Sequence, residues 1–142
     1  MTPPDPAFTA PDHNAIGADL FVTDGTEARL RISRCTACAE SWFPALSQCA
    51  SCASHEVTHT VSSTTGTVYA SSVVRIGPTG FSAPYGLAYV DIDGIRLLAH
   101  TQSRQALAPG TAVQLRYAPI THHNDDPVMS YAAVPHTQEG QS

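Results

Sequence analysis

Cys35-Thr36-Ala37-Cys38, ten further residues, then Cys49-Ala50-Ser51-Cys52: this stretch decides the fold, and it holds the chain's only four cysteines. A two-residue gap lets a tight turn aim two sulfurs at one point. A second such turn, brought back by a short loop, completes a tetrahedron. Four thiolates around one Zn²⁺ form a closed, structural site with no position left for substrate. Cys35, Cys38, Cys49 and Cys52 are therefore the expected metal ligands. Many such knuckles carry Gly just after the second cysteine. Ala39 and Ala53 stand there instead, which predicts either backbone strain or a shifted turn.

Other uses of the cysteines fit less well. Two disulfides suit a secreted chain, but the start, Met1-Thr2-Pro3-Pro4-Asp5-Pro6, has neither a basic region nor an apolar core and does not read as a secretion signal. A thioredoxin-like site needs one C-x-x-C opening a helix, not two in loop-like sequence. An iron centre with four thiolates has the same ligand geometry, and spacing alone does not separate it from zinc.

The chain has 142 residues, enough for one domain or two small ones. Its net charge is −5, with seven basic residues, all arginine, against twelve acids. That balance disfavours a generic polyanion binder. No apolar run is long enough to span a bilayer, so the expectation is a cytoplasmic protein without a membrane segment.

Residues 1–17 read as an extended or disordered arm and residues 18–63 as the zinc ribbon with its flanking strands. Leu30 to Arg34 alternates and enters the first knuckle as a strand. Between the knuckles Trp42 and Phe43 either cover the metal or, for Trp42 equally, pack on a neighbouring molecule. From Val57 onward the period is two. Val68, Ala70, Val74 and Ile76 are expected on one face of a strand; Ala88, Val90 and Ile92 on the next. Asp93-Gly94 marks a two-residue hairpin, followed by Ile95, Leu97 and Ala99. Ser103 to Leu107 is long enough for one or two helical turns. Val113, Leu115 and Tyr117 then alternate, Thr121 to Pro127 reads as a polar loop, and Val128 to Val134 as the last strand. Residues 64–135 thus hold five short strands with a Gly/Pro loop after the first, the pattern of an OB-fold barrel, and 136–142 form a polar tail. The fold class is mainly β: a rubredoxin-like zinc ribbon followed by a five-stranded OB-fold.

Together these features resemble a family of small proteins with an N-terminal zinc ribbon and a C-terminal OB-fold that accompany thiolases and related acyl-CoA enzymes. The resemblance rests on Arg34-Cys35-x-x-Cys38, Phe43-Pro44, Cys49-x-x-Cys52, Gly66-Thr67-Val68-Tyr69, Pro84-Tyr85-Gly86-Leu87-Ala88-Tyr89-Val90 with Asp93-Gly94, and Pro109-Gly110-x-x-Val113, over roughly residues 20–135. The departures are the two knuckle alanines, Pro44-Ala45 where the family often has Pro-Pro-Arg, and a closing strand without an aromatic after the alanine. The resemblance implies a non-catalytic subunit that stabilises a thiolase or thiolase-like partner, sometimes with a hydratase or synthase. It also implies a wall for the channel that holds the pantetheine arm of CoA.

The residues agree that the chain alone is no enzyme, since a tetrathiolate metal leaves no cysteine nucleophile. His122-His123 beside Asp125-Asp126 reads as a solvated loop rather than a metal site. Trp42, Phe81 and Tyr85 are the candidate contacts for a partner or the CoA channel, with barrel capping as the alternative for the rings near the Gly/Pro loop. A different class of function is a single-stranded nucleic-acid module, for which Tyr69, Phe81, Tyr85 and Tyr89 would have to stack on bases without a basic groove.

Overall fold

The computed structural model describes residues 7–77 and 84–136. Nine strands follow one another: β1 (Phe21–Thr23), β2 (Ala28–Cys35), β3 (Ser41–Trp42), β4 (Val57–Val61), β5 (Thr65–Val74), β6 (Tyr85–Ile92), β7 (Ile95–Thr101), β8 (Ala112–His123) and β9 (Asp126–Pro135). Strands β1 to β4 form a small antiparallel sheet centred on β2. Strands β5 to β9 close a barrel in the order β5-β6-β7-β9-β8, with β8 returning to β5. All barrel pairs are antiparallel except β7 with β9. The fold is mainly β, with the expected five-stranded barrel.

Alternation places the barrel core. Ala88, Val90 and Ile92 on β6, Ile95, Leu97 and Ala99 on β7, and Val113 and Leu115 on β8 are all buried. Asp93 and Gly94 both take positive φ (48° and 83°), the geometry of a type I′ hairpin turn. Gly66 lies where β5 crosses closely over β6. A Cβ there would sit 2.6 Å from Ile92 Cγ1 and 2.7 Å from the Asp91 carbonyl oxygen.

Three details differ from the reading of the sequence. First, a β-bulge between Val68 and Ala70 breaks the period on β5. Val68 pairs with buried Val90, but Ala70 pairs with exposed Tyr89, and Ile76 is 95% exposed, so these residues do not share a face. Second, the segment from Ser103 to Leu107 is irregular rather than helical. The Ser103 hydroxyl bonds both the Gln105 amide and its carbonyl, and Ser71 Oγ pairs with both backbone groups of Leu107. Such side-chain bonds compete with a helix for the same backbone groups. Third, β8 and β9 run on through most of the supposed polar loop, to a tight turn at Asn124 and Asp125, both at positive φ. Asn and Asp tolerate that conformation, so a hairpin there needs no glycine.

The buried cluster is continuous across the two sheets. Phe21, Leu30 and Ile32 join Val90, Leu97 and Leu115 in one core. Phe21 packs against Tyr131 and Tyr117, with ring centroids 5.4 Å and 6.0 Å apart. Residues before β1 are held as well. Thr9 exchanges backbone hydrogen bonds with Thr23, Ile16 N–H donates to the Met129 carbonyl, and the Arg29 guanidinium lies over the Phe8 ring.

Candidate metal centre and apolar wall

Strand β2 delivers the first cysteine. Cys35 ends it, and the chain turns so that the Ala39 N–H donates to the Cys35 carbonyl at 2.9 Å. The second knuckle repeats the geometry, with the Ala53 N–H donating to the Cys49 carbonyl at 2.9 Å. Ala39 and Ala53 have φ of 69° and 65°. The turns are therefore unshifted, and the alanines carry the strain that glycine would relieve. The loop between the knuckles is pinned from below by buried Ser33, whose hydroxyl accepts from the Leu46 N–H at 2.8 Å.

The two turns bring the four sulfurs within 4.8 Å of one another. Cys35 and Cys52 are 3.6 Å apart, as are Cys38 and Cys49. A disulfide needs about 2.05 Å. Four sulfurs each about 2.3 Å from one dication would be about 3.8 Å apart along a tetrahedral edge. The arrangement fits one tetrahedral metal held by Cys35, Cys38, Cys49 and Cys52, and among the described residues no other group of three or more metal-ligating side chains comes together. Cys35 and Cys49 are buried; Cys38 and Cys52 face outward.

The protein prepares two of these sulfurs for negative charge. Cys49 is held down to about 6, first by the N–H of Cys52, then by that of Ser51, with a further contribution from the Trp42 indole. Cys35 is also lowered, first by the Cys38 N–H. The other two move the opposite way. The Glu40 N–H draws Cys38 down, but desolvation and the neighbouring sulfurs push it up to about 12. Cys52 is raised by its proton-sharing with Cys35 and by burial, against the pull of the Ser54 N–H. In each close pair one sulfur is thus lowered and the other raised, and a dication that binds all four displaces whatever protons they hold.

Trp42 sits half-buried on β3, and its Nε1 is buried without a hydrogen-bond partner. Trp42 contributes, after the Cys52 and Ser51 amides, to lowering the Cys49 pKa. The ring belongs to the surroundings of the sulfur cluster.

A second feature lies on the barrel wall. Tyr85, Leu87 and Leu98 line, with Ile16, Leu20 and Tyr131, a groove of about 340 Å³. Tyr85 stacks on His100 at 5.4 Å, and desolvation there lowers the His100 pKa. Tyr89 and Leu98, paired across β6 and β7, are 49% and 47% exposed. At the far end Arg96 chelates Asp91 and covers the Tyr69 ring at 3.4 Å. Sequence reading did not single out Arg96, although the hairpin at Asp93-Gly94 already puts it opposite Asp91. Phe81 lies outside the described residues. His122 and His123 are exposed on the β8–β9 hairpin.

Known proteins share this architecture. The family described as ChsH2, C-terminal OB-fold domain, matches residues 59–118. The benzoylsuccinyl-CoA thiolase subunit BbsA of Geobacter metallireducens is 32% identical over 111 residues, covering 76% of this chain and 75% of that protein. A solved structure, the Ltp2-ChsH2(DUF35) aldolase, matches with a TM-score of 0.58 and 26% identity, over 75% of this chain and 84% of its own. None of the helices among the described residues is long and apolar enough to cross a membrane.

Proposed function

The chain belongs to the thiolase-associated family of OB-fold accessory proteins, and from that premise we propose that it is a non-catalytic, zinc-binding subunit of a thiolase-like acyl-CoA enzyme. One observation carries the reading beyond kinship: four sulfurs at the spacing of a closed tetrahedron. A dication held by all four has no position open for substrate, so it braces the ribbon instead of activating water or a carbonyl. The same ion consumes every thiol in the chain, so the nucleophile for thiolase chemistry comes from the partner. BbsA is by name a thiolase subunit and the solved relative is by name an aldolase, which supports a partner that makes or breaks a carbon–carbon bond in a CoA-bound substrate.

The apolar wall is the surface we assign to that partner. Tyr85, Leu87 and Leu98 line one groove together with His100, and Phe81 precedes Tyr85 by four residues in the sequence. Large rings and leucines at the centre of such a groove are the usual anchors of an interface. Docked there, the subunit stabilises the partner and contributes a wall to the channel of the pantetheine arm. The complex is a cytoplasmic hetero-oligomer that accommodates a hydratase or synthase as a further member.

Co-expression with thiolase-like proteins of the same cell tests this. The expected result is co-elution on gel filtration, a more soluble partner, and one zinc per copy of this chain. Leu98→Asp should abolish co-elution and leave the zinc in place. Failure of every such partner to co-elute, or salt-sensitive binding of a single-stranded oligonucleotide in their stead, overturns the proposal.

A further inference from the structure

Strand β4 reads Val57-Thr58-His59-Thr60-Val61, a palindrome. One edge pairs with β2, and among the described residues no strand pairs with the other. The devices that usually guard an open edge are missing from this segment: it has no lysine, no proline, no bulge and no carboxylate, and its residues are β-branched but for the central His59.

The hydrogen-bond phase of β4 follows from its ends. Ser62 N–H donates to the Leu30 carbonyl, and Thr36 N–H to the Glu56 carbonyl. In an antiparallel ladder the pairs that exchange both bonds recur every second residue. The even-numbered residues of β4 therefore bond to β2, and the backbone groups of Val57, His59 and Val61 point away from the sheet. The Val57 N–H is already taken by the His55 carbonyl. The outward set is the N–H and carbonyl of His59, the N–H and carbonyl of Val61, and the carbonyl of Val57.

That set is self-complementary about His59. We propose that β4 is a homodimer interface, in which two copies of this chain pair antiparallel along this edge with the two-fold axis at His59. The two His59 residues then exchange a reciprocal pair of backbone bonds, and each Val61 N–H donates to the carbonyl of the partner's Val57. Side chains meet in kind: valine opposite valine, and Thr58 opposite the partner's Thr60, a favourable cross-strand pair. The segment contains no arginine, lysine or carboxylate. A second copy is the occupant the sequence selects, because a two-fold interface requires one patch to match itself, and a palindromic edge does so in antiparallel register. The pairing uses the outer β4 edge of both copies and creates no new open edge. The interface is small, so the dimer is weak and concentration-dependent.

The test is sedimentation of the intact chain over a concentration series. Wild type should pass from monomer to dimer. His59→Glu and His59→Lys each set like charges opposite one another and should weaken the dimer about tenfold or more. An equimolar mixture of the two should recover it as a heterodimer. His59→Pro should be monomeric and still folded, since the N–H it removes faces solvent and a proline is tolerated there on an edge strand. Circular dichroism and metal content check that each variant is folded. Should a variant misfold, amide exchange on wild type decides the matter: the His59 and Val61 amides should become protected as concentration rises. A wild type that stays monomeric, charge variants that dimerise like wild type, a mixture that does not recover the dimer, or His59 and Val61 amides that exchange freely at all concentrations each overturn the proposal. Leu98→Asp leaves this dimer intact, so failure here and failure of partner docking are read separately.

Discussion

Replacing Trp42 by Phe separates two roles for one ring. The substitution keeps an apolar aromatic on β3 and deletes only the indole N–H. That N–H is buried without a hydrogen-bond partner, and Trp42 contributes to holding Cys49 down to about 6. Two stronger donors to the same sulfur, the Cys52 and Ser51 amides, remain; the Ser51 nitrogen is 3.4 Å from it. Losing an outer hydrogen bond to a metal ligand typically costs 10- to 100-fold in metal affinity. With the larger donors untouched, the effect belongs at the lower end, about tenfold. The assay is competition for Zn²⁺ against a chromophoric chelator, with wild type and Trp42→Phe side by side. Partner binding, read by gel filtration with metal in excess, should be unchanged. Unaltered zinc affinity combined with lost partner binding would refute the assignment of this ring to the sulfur cluster and return it to the interface.

The remaining predictions concern the metal, the knuckles, the barrel and the core. Zinc affinity should rise with pH through neutrality. Cys38, raised to about 12, still holds its proton there and must release it on binding, whereas Cys49, lowered to about 6, has largely lost its own; proton release measured by calorimetry in buffers of different ionisation enthalpy checks the sign. Ala39→Gly and Ala53→Gly should each stabilise the ribbon by about 0.5–1 kcal/mol in denaturant titrations, the relief of a left-handed alanine less the extra freedom of glycine in the unfolded chain. Gly66→Ala should cost about 1–3 kcal/mol, because the new methyl would meet Ile92 and the Asp91 carbonyl. Phe21→Ala should cost about 3–5 kcal/mol and lower the melting of both sheets together, since Phe21 lies in the core they share; separate transitions by tryptophan fluorescence and far-UV circular dichroism would contradict a common core.

Some of this molecule is written locally and some is not. The four cysteines declare their cluster because a two-residue gap constrains sulfur positions whatever surrounds them. The strands β6 and β7 are equally legible, for alternation and Asp93-Gly94 set both faces and register. The β5 strand misleads for a reason of the same kind: its bulge at Tyr69 inserts one residue and flips every face after it, and no local signal marks the insertion. Ser103 to Leu107 misleads because the Ser103 hydroxyl takes the backbone groups of Gln105, and the Ser71 hydroxyl, brought in by the fold, takes those of Leu107.

By itself, then, the order of residues determined the cysteine cluster, the mainly β class and the count of barrel strands, since each depends on spacings of a few residues. Tertiary structure alone decided where the Trp42 indole points, that Phe21 and Leu30 share a core with Val90 and Leu115, that Leu87 and Leu98 form one groove with Ile16, and which edge of β4 is open. Most of those are relations between residues tens of positions apart. They exist only once chain closure has brought the strands together, so no window along the sequence contains them.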